Sequence, residues 1–274
     1  MATPLVKIRP VSGFKPLDLR QLWRYRDLLA TLGSRDITLR YRQTVLGAFW
    51  VVAQPLMAAG IFSFVFGKVA RLPSDGIPYF LFSYAGLLSW SAFSNTLGKV
   101  SLSLVGNSHL ISKVYFPRLI LPLSTLYSTL VDFAVAFAMM LVLLAVNHVP
   151  ISPRLLLLPV WMSLILMLAM GVGLYVSALM VSYRDVQHIL PVMVQLLLYA
   201  SPVAYSISVV PEHLRAFYHL NPLSGLLEAF RWSLLGSGVI SPWALAYSSF
   251  VSIAMLGLGA FAFKRMERLF SDVI

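Results

Sequence analysis

Six long apolar runs constrain the fold of this chain more than any other feature of its sequence. They cover Val45–Phe66, Pro78–Leu97, Leu119–Val146, Leu155–Val181, Val186–Ser206 and Trp243–Phe263. A membrane-crossing helix needs about 20 mostly apolar residues, and inside lipid only helices and closed barrels satisfy their backbone polar groups. Because 59% of the residues are hydrophobic and only 11% are charged, we predict an all-α polytopic membrane protein with six transmembrane helices.

The basic residues are distributed unequally between the two sides of these runs. Sixteen of the 21 Lys and Arg residues fall in the termini and in the loops on their side, and five fall in the opposite loops. Cytoplasmic segments carry the excess of Lys and Arg, so we predict that both termini are cytoplasmic. The chain then divides into a cytoplasmic N-terminus (1–44), a membrane domain (45–263) and a cytoplasmic tail (264–274). No nucleic-acid partner is indicated, because the charges are dispersed beside anionic lipid.

The segment ahead of the first run has the pattern of an interfacial amphipathic helix. Between Asp18 and Gly33, apolar residues recur at helical spacing, and such a helix lies in the membrane surface. We expect Gly33 and Ser34 to end it, with Ser34 capping a second short helix. Two interpretations stay open: a simple positively charged anchor, or a docking surface for a partner or a lipid headgroup. The apolar face is predicted to consist of Leu19, Leu22, Trp23, Leu29 and Ala30.

A shorter apolar stretch, Asn221–Gly236, lies between the fifth and sixth runs and is called the lid segment here. It is interrupted by Glu228 and Arg231. Apolar runs of this length are more often re-entrant or interfacial than spanning. We therefore predict a helix that dips into one side of the bilayer, as in proteins that let something through.

Searches for catalytic chemistry find nothing in the sequence. It has no phosphate-binding loop of the G-x-x-x-x-G-K-[ST] type and no G-x-S-x-G elbow. His213 and His219 are six residues apart beside Glu212, which is not a metal-ligand spacing for one helix face. The two short glycine pairs, Gly171/Gly173 and Gly257/Gly259, are predicted to be close helix contacts. We predict no covalent chemistry, no metal and no cofactor in this chain.

Asp132 is the single charged side chain inside the six predicted runs. Carboxylates in a membrane mark proton pathways or structural pairs. Because no other predicted run contains an Asp, Glu, Lys or Arg, we favour a structural role, with hydrogen bonds to Ser128, Thr129 or another helix.

Aromatic residues and prolines are frequent in the runs. Membrane-surface belts account for most aromatic residues, but those deep in the runs can line a passage, since sugar rings slide over aromatic faces. The prolines are expected to kink their helices. The candidate channel aromatics are Trp50, Tyr84, Trp90 and Tyr199, and the candidate kinks are Pro55, Pro191 and Pro202.

An ordered set of short motifs resembles one transporter family. The motifs are Arg24–Leu29, Ser34–Gly47, Phe116–Arg118 with Leu121-Pro122, Tyr183–Asp185 leading to Ile189–Pro191, and Asn221–Leu223 with Glu228–Arg231. From about residue 20 onward, the chain resembles the membrane (permease) subunit of ABC-2-type bacterial polysaccharide exporters, the group that exports O-antigen, capsule-like and teichoic acid polymers.

The resemblance implies a homodimer in the bacterial inner membrane, assembled with two copies of a separate ATPase that binds ATP and Mg²⁺. It implies export of a polysaccharide on an undecaprenyl diphosphate anchor to the periplasm, as in lipopolysaccharide biosynthesis. By the same resemblance, the lid segment forms the periplasmic gate through Asn221, Pro222, Glu228 and Arg231. Coupling to the ATPase is expected at Asn107, His109 and Lys113 and at Tyr183, Arg184 and Asp185. The diphosphate is expected at Arg35, Arg40 and Arg42, which suit phosphate equally in phospholipid headgroups.

Three alternatives are kept beside this hypothesis. The same architecture exports drugs, haem or small lipids, in which case a small apolar cavity replaces a wide aromatic channel. A membrane acyltransferase needs a catalytic His or carboxylate cluster, which the sequence lacks. A secondary transporter typically shows internal repeats and buried charges, and neither is evident.

Overall fold

The computed structural model describes residues 19–42, 47–150, 152–238 and 240–267, and the regular elements in these ranges are all helical. The α-helices are α1 (Leu19–Arg24), α2 (Arg26–Arg42), α3 (Gly47–Phe62), α4 (Tyr79–Leu102), α5 (Ser108–Lys113), α6 (Ile120–Val146), α7 (Leu158–Ser182), α8 (Val186–Tyr199), α9 (Glu212–Leu220), α10 (Pro222–Leu235) and α11 (Pro242–Met266). A π-helix, Ser63–Val69, continues α3, and short 3-10 turns at Val105–Asn107, Pro153–Leu157 and Ile207–Val209 join other helices.

Four helical stretches in the described ranges are long and apolar enough to cross a membrane. They are Phe49–Val69, Ile120–Val146, Pro153–Ser182 and Pro242–Met266. These stretches correspond to the first, third, fourth and sixth apolar runs, so the prediction of an all-helical, multi-pass chain is confirmed.

The second run forms α4, which is long enough to span but more polar than the four stretches above. Its 24 residues give a length of about 36 Å. It contacts α3, α6, α7 and α10, and most of its residues are buried. Because α4 faces protein on most sides, it tolerates buried serines such as Ser83, Ser89 and Ser101 at positions where a lipid-facing helix would be apolar.

The fifth run is shorter as a helix than predicted. We expected it to reach Ser206, but α8 ends at Tyr199 and residues 200–206 form an irregular turn. Pro202 accounts for the difference, because proline lacks an N–H donor and disfavours helical backbone at the residue before it. Pro202 thus follows a helix end instead of kinking a helix, whereas Pro55 and Pro191 do lie inside helices.

The predicted helix break at Gly33 and Ser34 is wrong. Helix α2 runs through both residues, and the break falls earlier, at Tyr25. Gly33 lies where α2 packs on α6, and a Cβ there would be 2.7 Å from Cγ of Tyr127. Ser34 donates to the Thr31 carbonyl within the same helix instead of capping a new one. The glycine therefore serves close packing and does not end the helix.

The residues of the predicted apolar face have different surroundings, and the side chain of Leu19 lies outside the described residues. Trp23 is 69% exposed and Ala30 is exposed, because the turn at Tyr25 interrupts one continuous helical face. The side chains that pack on the neighbouring core are Leu22, Tyr25, Leu28, Leu29 and Leu32.

Helices α7 and α11 pack with their backbones in direct contact. A Cβ on Gly259 would overlap the Gly171 carbonyl, and one on Gly171 would overlap the backbone of Met255. Both glycines let the two backbones touch, as small residues do in membrane helix pairs. The packing role predicted for these glycines is confirmed at this crossing, whereas Gly257 faces open space.

Candidate functional site

A groove of about 340 Å³ lies between α3, α4 and α6 and combines polar with aromatic side chains. We call it the polar groove. Its polar lining comes from Gln54, Ser91, Asn95, Thr129 and Asp132, and its aromatic lining from Trp50, Trp90 and Phe133. Since α3 and α6 belong to candidate spans, the groove places hydrogen-bonding groups at membrane depth, where polar side chains normally face a cavity or a protein interior.

Asp132, which lines this groove, forms an ion pair with Lys99. The Lys99 ammonium donates to Asp132 Oδ2 at 2.9 Å and to Ser128 Oγ at 3.0 Å. The side chains are 26% and 8% exposed, respectively. The predicted structural role of Asp132 fits this pair, and Lys99 lies in the last turn of α4, just beyond the predicted end of the second run. The sequence does contain a signal for this pair. Lys99 lies just beyond the second apolar run, and Asp132 lies inside the third.

The four predicted channel aromatics occupy three different settings. Trp50 and Trp90 both line the polar groove. Tyr84 is fully buried, and its hydroxyl donates to the Ala136 carbonyl at 2.9 Å. Tyr199 is 61% exposed at the end of α8. The structure therefore brings together only the two tryptophans and uses Tyr84 to pack α4 against α6.

The lid segment forms α10, with a well-defined cap at each end. Asn221 accepts a hydrogen bond from the Leu223 N–H, the usual side-chain cap at a helix N-terminus, and Pro222 occupies the first turn, where its missing N–H costs nothing. Gly236 ends α10 in the left-handed conformation at φ 72°, which glycine adopts readily. These caps explain why fourteen residues form a separate helix directly after α9.

The irregular turn at residues 200–206 is held by side chains from α4 and from the lid segment. Asn221 donates to the Ala200 carbonyl at 3.3 Å and to Ser201 Oγ at 2.9 Å. Arg231 donates to the Pro202 carbonyl at 2.5 Å and to the Val203 carbonyl at 3.2 Å. Tyr79 donates to the Ala204 carbonyl at 2.6 Å. These bonds satisfy backbone acceptors that the end of α8 leaves without helical partners.

Arg231 is the central side chain of this arrangement. It is only 4% exposed, and its guanidinium carbon lies 3.9 Å from the ring centre of Phe82, a favourable cation–π geometry. Burial lowers the pKa of Arg231 to about 10, opposed by the nearby carboxyl groups of Glu228 and Asp75. Arg231 thus keeps its charge at neutral pH and joins α4, α10 and the turn.

Glu228 faces a polar cleft of about 270 Å³ beside the same turn. Burial raises the pKa of Glu228 to about 7, while Arg231 and a hydrogen bond from the Ile207 backbone act in the opposite direction. The other ionisable side chains of the cleft are Asp75, Arg215, His219 and Arg231. Among the described residues, no three His, Cys, Asp or Glu side chains group in a way that could hold a metal ion.

At the opposite end of the helices, the structure joins two residues that the sequence assigned to different roles. Arg35, predicted to contact a diphosphate, donates to Asn107 Oδ1 at 3.0 Å and also pairs with Asp36 at 3.3 Å. Asn107 in turn donates to the Ser103 carbonyl. The side chains of Arg40 and Arg42, the other two arginines of that prediction, lie outside the described residues.

The remaining residues predicted to couple to an ATPase are exposed at this same end. His109 and Lys113 are exposed on α5, and Tyr183, Arg184 and Asp185 are exposed in the turn that follows α7. Helix α7 contacts the 3-10 turn at Val105–Asn107, so the two loops are neighbours. Exposed side chains on two adjacent loops form a surface that a soluble partner can reach.

A contact between the loop before α6 and the end of α11 was not predicted from the sequence. Arg118 donates to the Glu267 carbonyl at 2.9 Å, and Lys264 pairs with the Glu267 side chain. These contacts tie the end of α11 to the loop before α6. Arg118 and Glu267 are 149 positions apart, so no local sequence pattern indicates this contact.

Comparison with known proteins places these features in a known family. The model of the family described as ABC-2 type transporter matches residues 27–235. The chain is 29% identical to an O-antigen export system permease protein RfbA of Myxococcus xanthus over 259 residues, which cover 93% of this chain and 98% of the relative. It is 26% identical to an RfbA of Klebsiella pneumoniae, covering 90% and 95%. It is 24% identical to the polysialic acid transport protein KpsM of Escherichia coli, covering 85% and 91%.

Proposed function

Because the chain belongs to the ABC-2 type transporter family, we propose that it is the membrane permease subunit of a polysaccharide exporter of the O-antigen type. Relatives that match along nearly their whole length carry the names of O-antigen and polysialic acid transport proteins. An ABC-2 permease works with an ATPase, and the exposed loops at Asn107–Lys113 and Tyr183–Asp185 offer the surface for it.

The finer features of the proposal follow from the family resemblance. Two copies of this chain and two ATPase subunits form the exporter in the bacterial inner membrane, with six spans per chain and both termini in the cytoplasm. The cargo is a polysaccharide on undecaprenyl diphosphate, moved from cytoplasm to periplasm, and the lid segment acts as the periplasmic gate. ATP and Mg²⁺ bind the partner subunit, and this chain performs no covalent chemistry.

The polar groove is the structural observation that carries the proposal. A sugar chain presents hydroxyl groups, which need hydrogen-bonding partners, and ring faces, which pack on aromatic side chains. The groove supplies both, with Gln54, Asn95 and Thr129 beside Trp50 and Trp90. Desolvated hydroxyl groups without partners would cost about 1–3 kcal/mol each, so an apolar lining would block a sugar polymer.

One observation favours the alternative cargo class. An apolar cleft of about 320 Å³ lies between α4, α7 and α8, lined by side chains such as Phe93, Leu168 and Met193. Such a cleft suits a lipid tail or a small apolar molecule. A drug, haem or lipid exporter is therefore the second candidate. Variants of Gln54 and Asn95 in the polar groove distinguish it from a polysaccharide exporter.

The first experiment is to purify the tagged chain gently from native membranes and identify what accompanies it. An ATPase at one copy per copy of this chain supports the exporter, and absence of any ATPase under conditions that keep known transporters intact contradicts it. The cargo is then tested by measuring surface polysaccharide in cells that carry Gln54→Leu or Asn95→Leu.

Both substitutions remove hydrogen-bonding groups from the polar groove without shortening its helices. We expect surface polysaccharide to fall several-fold at normal protein levels. Ser163→Ala is the matched control, because Ser163 is exposed on α7 and donates to the Val160 carbonyl of its own helix. Unchanged polysaccharide in both groove variants, together with lost export of an apolar compound on mutating the apolar cleft, would favour the alternative.

A further inference from the structure

Helix α9 exposes apolar residues on one side, whereas polar residues in the second half of its other side are partly buried. The exposed fractions of Leu214, Phe217 and Leu220 are 40%, 68% and 63%. These residues recur every third position and therefore share one side of the helix. On the opposite side, Arg215, Tyr218 and His219 are partly buried. A helix at a protein surface in water normally has the reverse arrangement.

The inward side of α9 is fixed to the loop before it by polar contacts. Arg215 donates to the Val210 carbonyl at 2.9 Å and to the Ser208 carbonyl at 3.2 Å. The hydroxyl groups of Tyr218 and Tyr205 lie 2.9 Å apart in a hydrogen bond. Because these contacts hold the polar residues inward, α9 cannot rotate its apolar side into the protein without breaking them.

The position of α9 along α11 sets its depth relative to the membrane. The Tyr247 hydroxyl donates to the Leu220 carbonyl at 3.1 Å, and Tyr247 lies five residues after the start of α11, or about 7.5 Å along the helix. Trp243, in the first turn of α11, is 78% exposed, as expected of a tryptophan at a membrane surface. An interfacial helix buries its apolar side about 5–10 Å below that surface. The end of α9 therefore lies at interfacial depth.

We propose that α9 lies flat in the lipid–water interface at the end of the molecule that carries the lid segment, with Leu214, Phe217 and Leu220 inserted among the lipids. The occupant of this apolar side is the lipid surface and not a second copy of the chain. A stable protein interface buries about 800 Å² on each partner, and three side chains on a nine-residue helix supply only part of that area. This membrane contact goes beyond the proposed transport function and does not depend on the cargo.

The membrane contact would anchor the segment that leads directly into the lid. Asn221 follows Leu220 and caps α10, so no flexible linker separates the anchored helix from the lid segment. Movement of α10 therefore has to be accompanied by movement of α9 within the interface, or by a change at Asn221.

The experiment uses the natural absence of cysteine from this chain. Phe217→Cys and, separately, Leu214→Cys are introduced into the full-length chain, labelled with a nitroxide and reconstituted in vesicles of phosphatidylethanolamine and phosphatidylglycerol. Electron paramagnetic resonance then measures collision of the label with oxygen, which concentrates in lipid, and with a water-soluble nickel chelate. Glu212→Cys is the matched control on the same helix, since its side chain is 92% exposed and charged.

We expect the labels at 217 and 214 to collide several-fold more with oxygen than with the nickel chelate, and the label at 212 to show the reverse. Equal access of the nickel chelate to positions 217 and 212 would place α9 in water and overturn the proposal. Exclusion of both reagents from 217 and 214, with dipolar broadening between labels on two copies, would assign the surface to a protein interface and also overturn it. None of these outcomes depends on transport, so the proposed function is tested separately.

Discussion

The Arg35 guanidinium is hydrogen-bonded to the Asn107 side-chain oxygen at 3.0 Å, which fixes α2 to the turn before α5. The two residues are 72 positions apart in the chain. In the proposed exporter, both would lie near the ATPase, so force applied to one element would reach the other through this contact.

A double-mutant cycle on Arg35→Ala and Asn107→Ala tests that connection. Each single variant should lower the free energy of unfolding by about 0.5–1.5 kcal/mol, the usual net value of one hydrogen bond, and the double variant should lose less than the sum of the two single losses. Thermal midpoints of the purified protein measure the effect. Arg24→Ala, an exposed arginine on α1, is the control and should change little. Strictly additive losses would show that the two residues act independently.

Breaking the Lys99–Asp132 pair from either side should be strongly destabilising. Removal of one partner of a buried ion pair leaves a charge at low dielectric and costs about 3–5 kcal/mol. We expect Lys99→Met and Asp132→Leu each to lower the thermal midpoint sharply, and the double variant to recover part of the loss because no isolated charge is left. Asp27→Asn is the control, since Asp27 has a side chain 94% exposed. A double variant as unstable as the sum of the two single variants would contradict a direct pair.

Gly33→Ala should destabilise the protein although alanine is the better helix former. In an unconstrained helix the change would stabilise by up to about 1 kcal/mol, but here the new methyl group meets the Tyr127 ring at 2.7 Å. Gly98→Ala in α4 is the matched control, because nothing lies within 4 Å of its added Cβ. Thermal midpoints should therefore move in opposite directions. An increase for both variants would show that α2 does not pack tightly on α6.

The raised pKa of Glu228 predicts how stability changes with pH. The folded protein holds this proton up to about pH 7, whereas the unfolded chain releases it near the ordinary value of 4.5. The contribution to stability is therefore complete below pH 4.5 and is lost as the pH rises through 7. Glu228→Gln should flatten the fall of the thermal midpoint between pH 5 and pH 8. An identical pH profile for both proteins would show that Glu228 does not contribute to the pH dependence.

Replacement of Arg231 by Met should destabilise the protein more than the same change at Arg154. Arg231 serves two backbone carbonyl groups and the Phe82 ring, and a buried acceptor left without a donor costs about 1–3 kcal/mol. Arg154 makes comparable contacts, with the Gly236 carbonyl and the Trp232 ring, but lies exposed, so water replaces its bond. Thermal midpoints of the two variants provide the comparison. Equal losses would indicate that burial at Arg231 is not decisive.

The parts of the fold that could be predicted from the sequence are those with a dense local signal. Long apolar runs identified α3, α6, α7 and α11, since a long continuous apolar stretch in lipid satisfies its backbone polar groups by forming a helix. The lid segment was found in the same way, from a run too short to span. Gly33 could not be assigned correctly from the sequence. A glycine that ends a helix and a glycine that makes room for a neighbouring aromatic ring look alike in sequence. The contacts of Lys99, Arg118 and Tyr79 join distant positions, and only packing reveals them.

The irregular turn at residues 200–206 has a consequence for how much of the bilayer α8 can cover. Fourteen residues extend about 21 Å, which is less than a hydrocarbon core of about 30 Å. The backbone beyond Tyr199 is free to leave the helical path at that depth because Asn221, Arg231 and Tyr79 supply the donors that water would otherwise provide. Side chains of the lid segment thus satisfy carbonyl groups that a longer α8 would have bonded within the helix. Deleting the lid segment would remove Asn221 and Arg231 and leave the carbonyl groups after α8 without these donors, so we expect α8 to lose its ordered end.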